Sequence, residues 1–210
     1  MLINRNHTVK IIALCTILFL TTHLPISMAG ESESPQPPVH YDMQGTPLSA
    51  EEAARLQPGL LTVYFHNFFA RNVRMLPKRG GKEGKPIFEL NNQFGRGKVF
   101  DSGTNRGIGI RMNGALHFPT TGKYILQTLS NDGVIIYLSD KLVLSDPTQH
   151  SDQLSIESEL NVTIAGWYPI RIDYFQRKGT AALKLYWKTP GSDEKVIVPA
   201  EAYAHLPATQ

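Results

Sequence analysis

Cysteine is nearly missing from this chain: Cys15 stands alone among 210 residues. A single thiol cannot close an intramolecular disulfide, so stability must rest on a packed core. A bias of charge is missing too. Lys and Arg number 21 against 18 Asp and Glu, a formal net charge of +3, and no run is strongly basic. That excludes the electrostatic footprint of a nucleic-acid binder. Common hydrolase signatures are also lacking: there is no Gly-x-Ser-x-Gly elbow, no His-Glu-x-x-His and no cysteine placed as a nucleophile. Finally, the apolar stretch at 11–20 (IIALCTILFL) is too short to span a bilayer.

What is present at the N-terminus has the layout of an export signal. Arg5 and Lys10 precede the apolar stretch, and Ser27-Met28-Ala29 places small residues where a signal peptidase reads them. Cleavage is expected before Gly30, giving a signal peptide at 1–29 and a mature chain with no cysteine and no membrane span. Cys15 lies inside the apolar stretch rather than at the cleavage point, which argues against a lipid anchor. The expected location is extracytoplasmic: secreted, periplasmic or at the cell surface.

The hydrophobic fraction of 41% suits one core of ordinary size. Residues 30–58 divide into a tether carrying Pro35, Pro37, Pro38 and Pro47, and one short helix. Ser49 and Glu52 form a capping box, and Pro58 stops the helix after about two turns. From residue 59 the pattern changes to short β-rich runs: 60–66, 115–118, 124–130, 134–138, 142–144, 154–162, 168–175, 182–187 and 196–198. Ile170, Ile172 and Tyr174 alternate with Arg171 and Asp173, and Leu183, Leu185 and Trp187 alternate with Lys184 and Lys188. Gly and Pro residues separate the runs at hairpin spacing. The fold class predicted is all-β, an antiparallel β-sandwich over 59–206 with one short N-terminal helix. Residues 71–85 (RNVRMLPKRGGKEGK) read as a solvated, mobile loop.

A family resemblance rests on several blocks in order. They are Gly59-Leu60-Leu61-Thr62-Val63-Tyr64-Phe65, Gly114-Ala115-Leu116-His117-Phe118-Pro119 with Gly122-Lys123-Tyr124, and Leu129-Ser130-Asn131-Asp132-Gly133-Val134. Next come Gly166-Trp167-Tyr168-Pro169-Ile170-Arg171-Ile172-Asp173-Tyr174-Phe175, Ala182-Leu183-Lys184-Leu185-Tyr186-Trp187 and Val198-Pro199-Ala200-Glu201-Ala202-Tyr203. The chain resembles the domain named for the N-terminal fragment of anthrax protective antigen, also found in yeast flocculins and adhesins and as an insert in bacterial glycosidases. The resemblance implies a β-sandwich frequently used to hold carbohydrate. It further implies that a loop matching Asn131-Asp132 holds calcium in sugar-binding relatives, where the pair reads Asp-Asp. Here Asn131 removes one negative charge, and Gln176, followed by Arg177 and Lys178, stands where flocculins offer an asparagine. Two cations beside such a site oppose a cation electrostatically. Calcium is therefore expected to bind weakly or not at all, with Asn131 and Asp132 the candidate ligands.

Other constellations weigh less. Gly80 and Gly84 are one residue too close for a phosphate-binding loop, and Pro86 follows Lys85. Gly107-Ile108-Gly109 fits strand flexibility or close backbone approach better than a dinucleotide fingerprint. His150 with Asp146 and Asp152 reads as a polar loop rather than a metal site, since no second histidine is suitably spaced. His66 and His117 read as sheet histidines, and the Asn161-Val162-Thr163 sequon falls on a predicted strand. Asn131-Asp132-Gly133 has the composition of a hairpin turn that tolerates positive φ. Most aromatic residues read as core, Trp167 being the one placed at a turn where it can lie exposed.

The leading expectation is a non-catalytic recognition module for cell-surface or matrix glycans, acting through loops at one end of the sandwich. Its ligand-binding candidates are Asn131, Asp132, Gly133, Trp167, Gln176, Arg177 and Lys178, with direct contact expected from Asp132 and the 176–178 loop. The rival is a structural or protein-interaction module of a cell-envelope complex. A small glycosidase is the third class, because the separation of paired carboxylates is not a property of sequence.

Overall fold

Leu60, Tyr64, Ile110, Met112 and Ile172 from one sheet and Tyr124, Leu126, Leu183, Leu185 and Trp187 from another meet in a single buried cluster. The computed structural model that shows this describes residues 38–42 and 46–207, so the expected signal peptide and most of the tether lie outside the described residues. In chain order the first strands are β1 (Val39–Asp42), β2 (Gln57–Pro58), β3 (Leu60–His66), β4 (Lys82–Ile87) and β5 (Asn91–Gly95). Then follow β6 (Ile108–Phe118), β7 (Gly122–Asn131), β8 (Val134–Leu138), β9 (Lys141–Asp146) and β10 (Gln153–Leu154). The last are β11 (Ser158–Val162), β12 (Gly166–Gln176), β13 (Ala181–Lys188), β14 (Val196–Ile197) and β15 (Tyr203–His205). One short helix, α1 (Ala50–Ala53), precedes β2.

Seven strands form one sheet, ordered β1-β11-β7-β13-β14 with β10 on β7 and β5 on β13. Eight form the other, ordered β2-β15-β6-β12-β8-β9, with β3 between β6 and β4. The architecture is the expected β-sandwich. Inside it, Phe118 sits edge-on to Tyr124 (ring centroids 4.9 Å apart) and to Tyr168 (5.7 Å). The hydroxyls of these two tyrosines escape the apolar interior by donating to the Thr120 and Ile164 carbonyls at 3.0 and 2.6 Å.

Four local outcomes differ from the sequence expectation. Val39–Asp42, within the predicted tether, pairs in parallel with β11, and it is the one parallel pairing among the described strands. Residues 71–85 are not all loop: a 3-10 turn (Val73–Met75) and most of β4 occupy them, the latter an edge strand paired to β3. The helix holds its predicted capping box, Ser49 with Glu52, but is only four residues long.

The fourth concerns Asn131-Asp132-Gly133. It is not a hairpin turn. β7 belongs to the seven-stranded sheet and β8 to the eight-stranded one, so this segment carries the chain from one sheet to the other. None of its three residues has positive φ. The true two-residue turn is Ser139-Asp140 between β8 and β9, where φ is +45° and +64°, the geometry that matches strand twist. A separate apolar cluster lies on the outer face of the eight-stranded sheet, where Phe68, Val73 and Leu76 pack onto Phe65, Ile135 and Phe175.

Candidate functional site

The sheet-switching segment is pinned from several sides. Tyr174 donates its hydroxyl to the Asn131 carbonyl at 2.6 Å, Asp132 N–H donates to the Phe175 carbonyl at 3.0 Å, and Phe175 N–H donates to the Gly133 carbonyl at 3.1 Å. A Cβ on Gly133 would meet backbone atoms of Asp146, Pro147 and Thr148 at 2.6 to 2.7 Å. Glycine is required there for close approach rather than for a turn.

Asp132 accepts the Arg177 N–H on Oδ2 at 2.7 Å, and Arg177 in turn donates through Nε to the Phe69 carbonyl at 2.8 Å. The Asn131 amide donates to Asp152 Oδ1 at 2.8 Å and to Thr180 Oγ1 at 2.9 Å, while Gln93 Nε2 donates to Asp152 Oδ2 at 3.0 Å. β7, β13, β5 and the 147–152 loop therefore converge on one end of the sandwich. Burial raises the Asp132 pKa, opposed by the N–H groups of Arg177 and His150. His150 points Nδ1 at the Ser151 carbonyl (2.7 Å) and Nε2 at Asp146 Oδ2 (3.2 Å). Burial works against its charge, but Asp146, the Ser151 carbonyl and the Asp132 charge outweigh that, so its pKa is raised.

Six of the seven candidates gather here: Asn131, Asp132, Gly133, Gln176, Arg177 and Lys178. Their roles are not those expected. Asn131, Asp132 and Gln176 are 4, 2 and 0% exposed, so Asp132 and Gln176 form a buried frame instead of touching a ligand directly. The exposed groups are Lys178, Thr180, Asp152 and Gln93. Sequence reading missed Thr180 and Gln93 as site residues because no local pattern ties them to residue 131.

Trp167 is elsewhere. It is the second residue of β12, nine residues before Gln176, roughly 30 Å away at about 3.3 Å per strand residue. There it stacks on its register partner His117, ring centroids 4.6 Å apart and planes 24° apart.

A calcium ion takes six to eight oxygens. Facing the Asp152 carboxylate, Asn131 presents its NH2 and not its oxygen, and Asp132 already accepts backbone N–H groups. No group of three or more His, Cys, Asp or Glu able to hold a metal occurs among the described residues.

Residues 56–201 match the PA14 domain. The chain belongs to the PA14 domain family. Among curated proteins it is 25% identical over 99 residues to the anti-sigma-I factor RsgI3 of Acetivibrio thermocellus, a match covering 45% of this chain and 14% of that protein. The chain thus spans a small part of that relative's length. Among solved structures, an anti-sigma factor domain-containing protein from Clostridium clariflavum superposes with TM-score 0.59 at 18% identity, covering 73% of this chain and 49% of that one. The Epithelial Adhesin 6 A domain of Candida glabrata, solved in complex with Galβ1-3GlcNAc, gives TM-score 0.56 at 12% identity over 84% of this chain and 96% of that one. At such identities these two likenesses concern the PA14 fold alone.

Proposed function

We propose that this PA14-domain chain is an extracytoplasmic recognition module, without catalysis of its own, that binds carbohydrate through the loop end of the sandwich. The observation that carries the reading is the exposed polar rim: Asp152, Gln93 and Thr180 are hydrogen-bonded into a chain anchored on buried Asn131. A carboxylate that has accepted one N–H on each oxygen keeps lone pairs for sugar hydroxyls. Held in place by Asn131 and Gln93, it also loses little freedom when a ligand arrives. The disaccharide bound to the Candida glabrata relative supports the ligand class.

A glycan array followed by calorimetric titration tests the reading. Saturable binding is expected, weakened at least about tenfold by Asp152→Ala. An array blank for the folded protein overturns it, as does turnover of chromogenic glycosides that stops when one carboxylate is removed. The likeness to an anti-sigma-I factor favours a second reading, a structural or protein-interaction module of a cell-envelope complex. Crosslinking to one envelope protein in the native host, with a blank array, would select it.

A further inference from the structure

The outer face of the eight-stranded sheet carries a feature that the loop end does not use. Segment 67–78 folds back over this face, fixed by the Phe68, Val73 and Leu76 contacts, and leaves a cavity of about 520 Å3 between itself and the sheet. Arg74, Lys78, Arg111, Arg171 and Tyr137 line it, and Asp173 is its one carboxylate. A smaller depression of about 260 Å3 adjoins it, sharing Tyr137 and Arg171 and adding Asn113 and Asp140.

Charge is not balanced inside the larger cavity. Arg111 takes Asp173 in a two-pronged grip, Nε to Oδ1 at 2.7 Å and Nη2 to Oδ2 at 3.2 Å, and spends Nη1 on the Pro77 carbonyl at 3.1 Å. Arg74 has only the neutral Ser145 hydroxyl, at 2.9 Å. The Arg171 guanidinium carbon lies over the Tyr137 ring, 4.0 Å from its centroid. Its Nε is 3.7 Å from Asp173 Oδ2, buried, and makes no hydrogen bond. Four cations thus face one carboxylate that Arg111 already occupies. A guanidinium held against an aromatic ring is preorganised, and its donors suit a planar or tetrahedral oxyanion.

We propose that this cavity is a second binding site, for a sugar chain bearing carboxylate or sulfate groups. The choice of a sugar rests on the carbohydrate reading above; the negative charge rests on the cavity. The acidic group lies among Arg171, Lys78 and Arg74. Asp140 keeps a second acid out of the smaller depression, where Asn113 and Asp140 instead meet hydroxyls. A nucleic acid fits poorly, since the chain's net charge is only +3.

Calorimetry of the full chain with dextran sulfate, a glucuronate-containing hyaluronan hexasaccharide and plain dextran tests this. Binding is expected for one or both acidic chains and not for plain dextran, and the acidic chain that binds identifies the group. Binding should weaken as salt rises. Arg171→Gln and Lys78→Gln should each weaken it about tenfold, while Lys178→Gln at the loop end leaves it unchanged. If Arg171→Gln fails to fold, Lys78→Gln decides, because that side chain is exposed. Affinity within about twofold of wild type in Lys78→Gln overturns the site. Tighter binding of an Asp/Glu hexapeptide than of either acidic sugar overturns the ligand class. Neutral glycans bound on the array with no binding of either acidic chain would overturn this site and leave the loop-end reading standing.

Discussion

His150 is the residue whose charge the loop end controls. Its pKa is raised, so the folded state holds the proton more tightly than the unfolded chain. The associated stability is complete below the ordinary histidine value of about 6.5 and is lost as pH rises through the higher folded value. Asp132, also raised, contributes in the same sense: its share is present below the ordinary carboxylate range and lost above it. The melting temperature should therefore fall as pH is raised from about 6 through the histidine range, and His150→Gln should flatten that arm. An unchanged arm in the variant would exclude His150 as its source. The neighbouring Asn131 bears on calcium. With its NH2 on Asp152, calorimetry with calcium should show no micromolar binding, in wild type or in Asp132→Ala. Micromolar binding that vanishes in Asp132→Ala would restore calcium to this site.

The strands show which signals survive from sequence to structure. Trp187 on β13 faces inward as its alternation implies and lies in the main core beside Tyr124, so Trp187→Ala should cost about 3 to 5 kcal/mol in denaturant unfolding. A cost under about 1 kcal/mol would place the indole at the surface. Runs 60–66 and 134–138 were legible to the residue because β-branched and aromatic side chains fill them. The first half of β6 was not, because Gly109 and Gly114 suppress the strand signal. A Cβ on Gly109 would meet Leu76 Cδ1 at 2.2 Å, and one on Gly114 would meet the Ala204 carbonyl oxygen at 2.2 Å. At the Gly107-Ile108-Gly109 stretch, where strand flexibility or close backbone approach was expected, the close neighbours are side chains, Leu76 at Gly109 and Phe69 at Gly107. Strand β4 was hidden for another reason: as an edge strand rich in Lys and Gly it reads as loop. Gly133→Ala, set against backbone on three sides, should cost about 1 to 3 kcal/mol by overpacking. A neutral effect in the same unfolding assay would mean that the 146–148 segment yields.

At the scale of the whole molecule, the sandwich and its dry faces were readable, while the grouping of site residues was only half so. The 131–133 and 176–178 segments come together because β7 and β12 end on the same side, but Trp167 lies at the other end of β12, and period-two alternation carries no information about which ends coincide. That separation supplies a test of cooperativity. The chain has two tryptophans: Trp187 in the core from the seven-stranded sheet, and Trp167 half-buried on the outer face of the eight-stranded one. The core cluster draws large side chains from both sheets, so neither sheet has a dry face to bury alone, and unfolding should be all-or-none. With Cys15 the only cysteine, no internal disulfide supports either half. Trp167→Phe and Trp187→Phe each leave one fluorophore. In each variant the fluorescence and far-ultraviolet circular dichroism transitions should coincide, with midpoints unchanged by reductant. A Trp167 signal that melts ahead of the backbone in Trp187→Phe would show the outer face loosening separately, and the two sheets would then not share one folding unit.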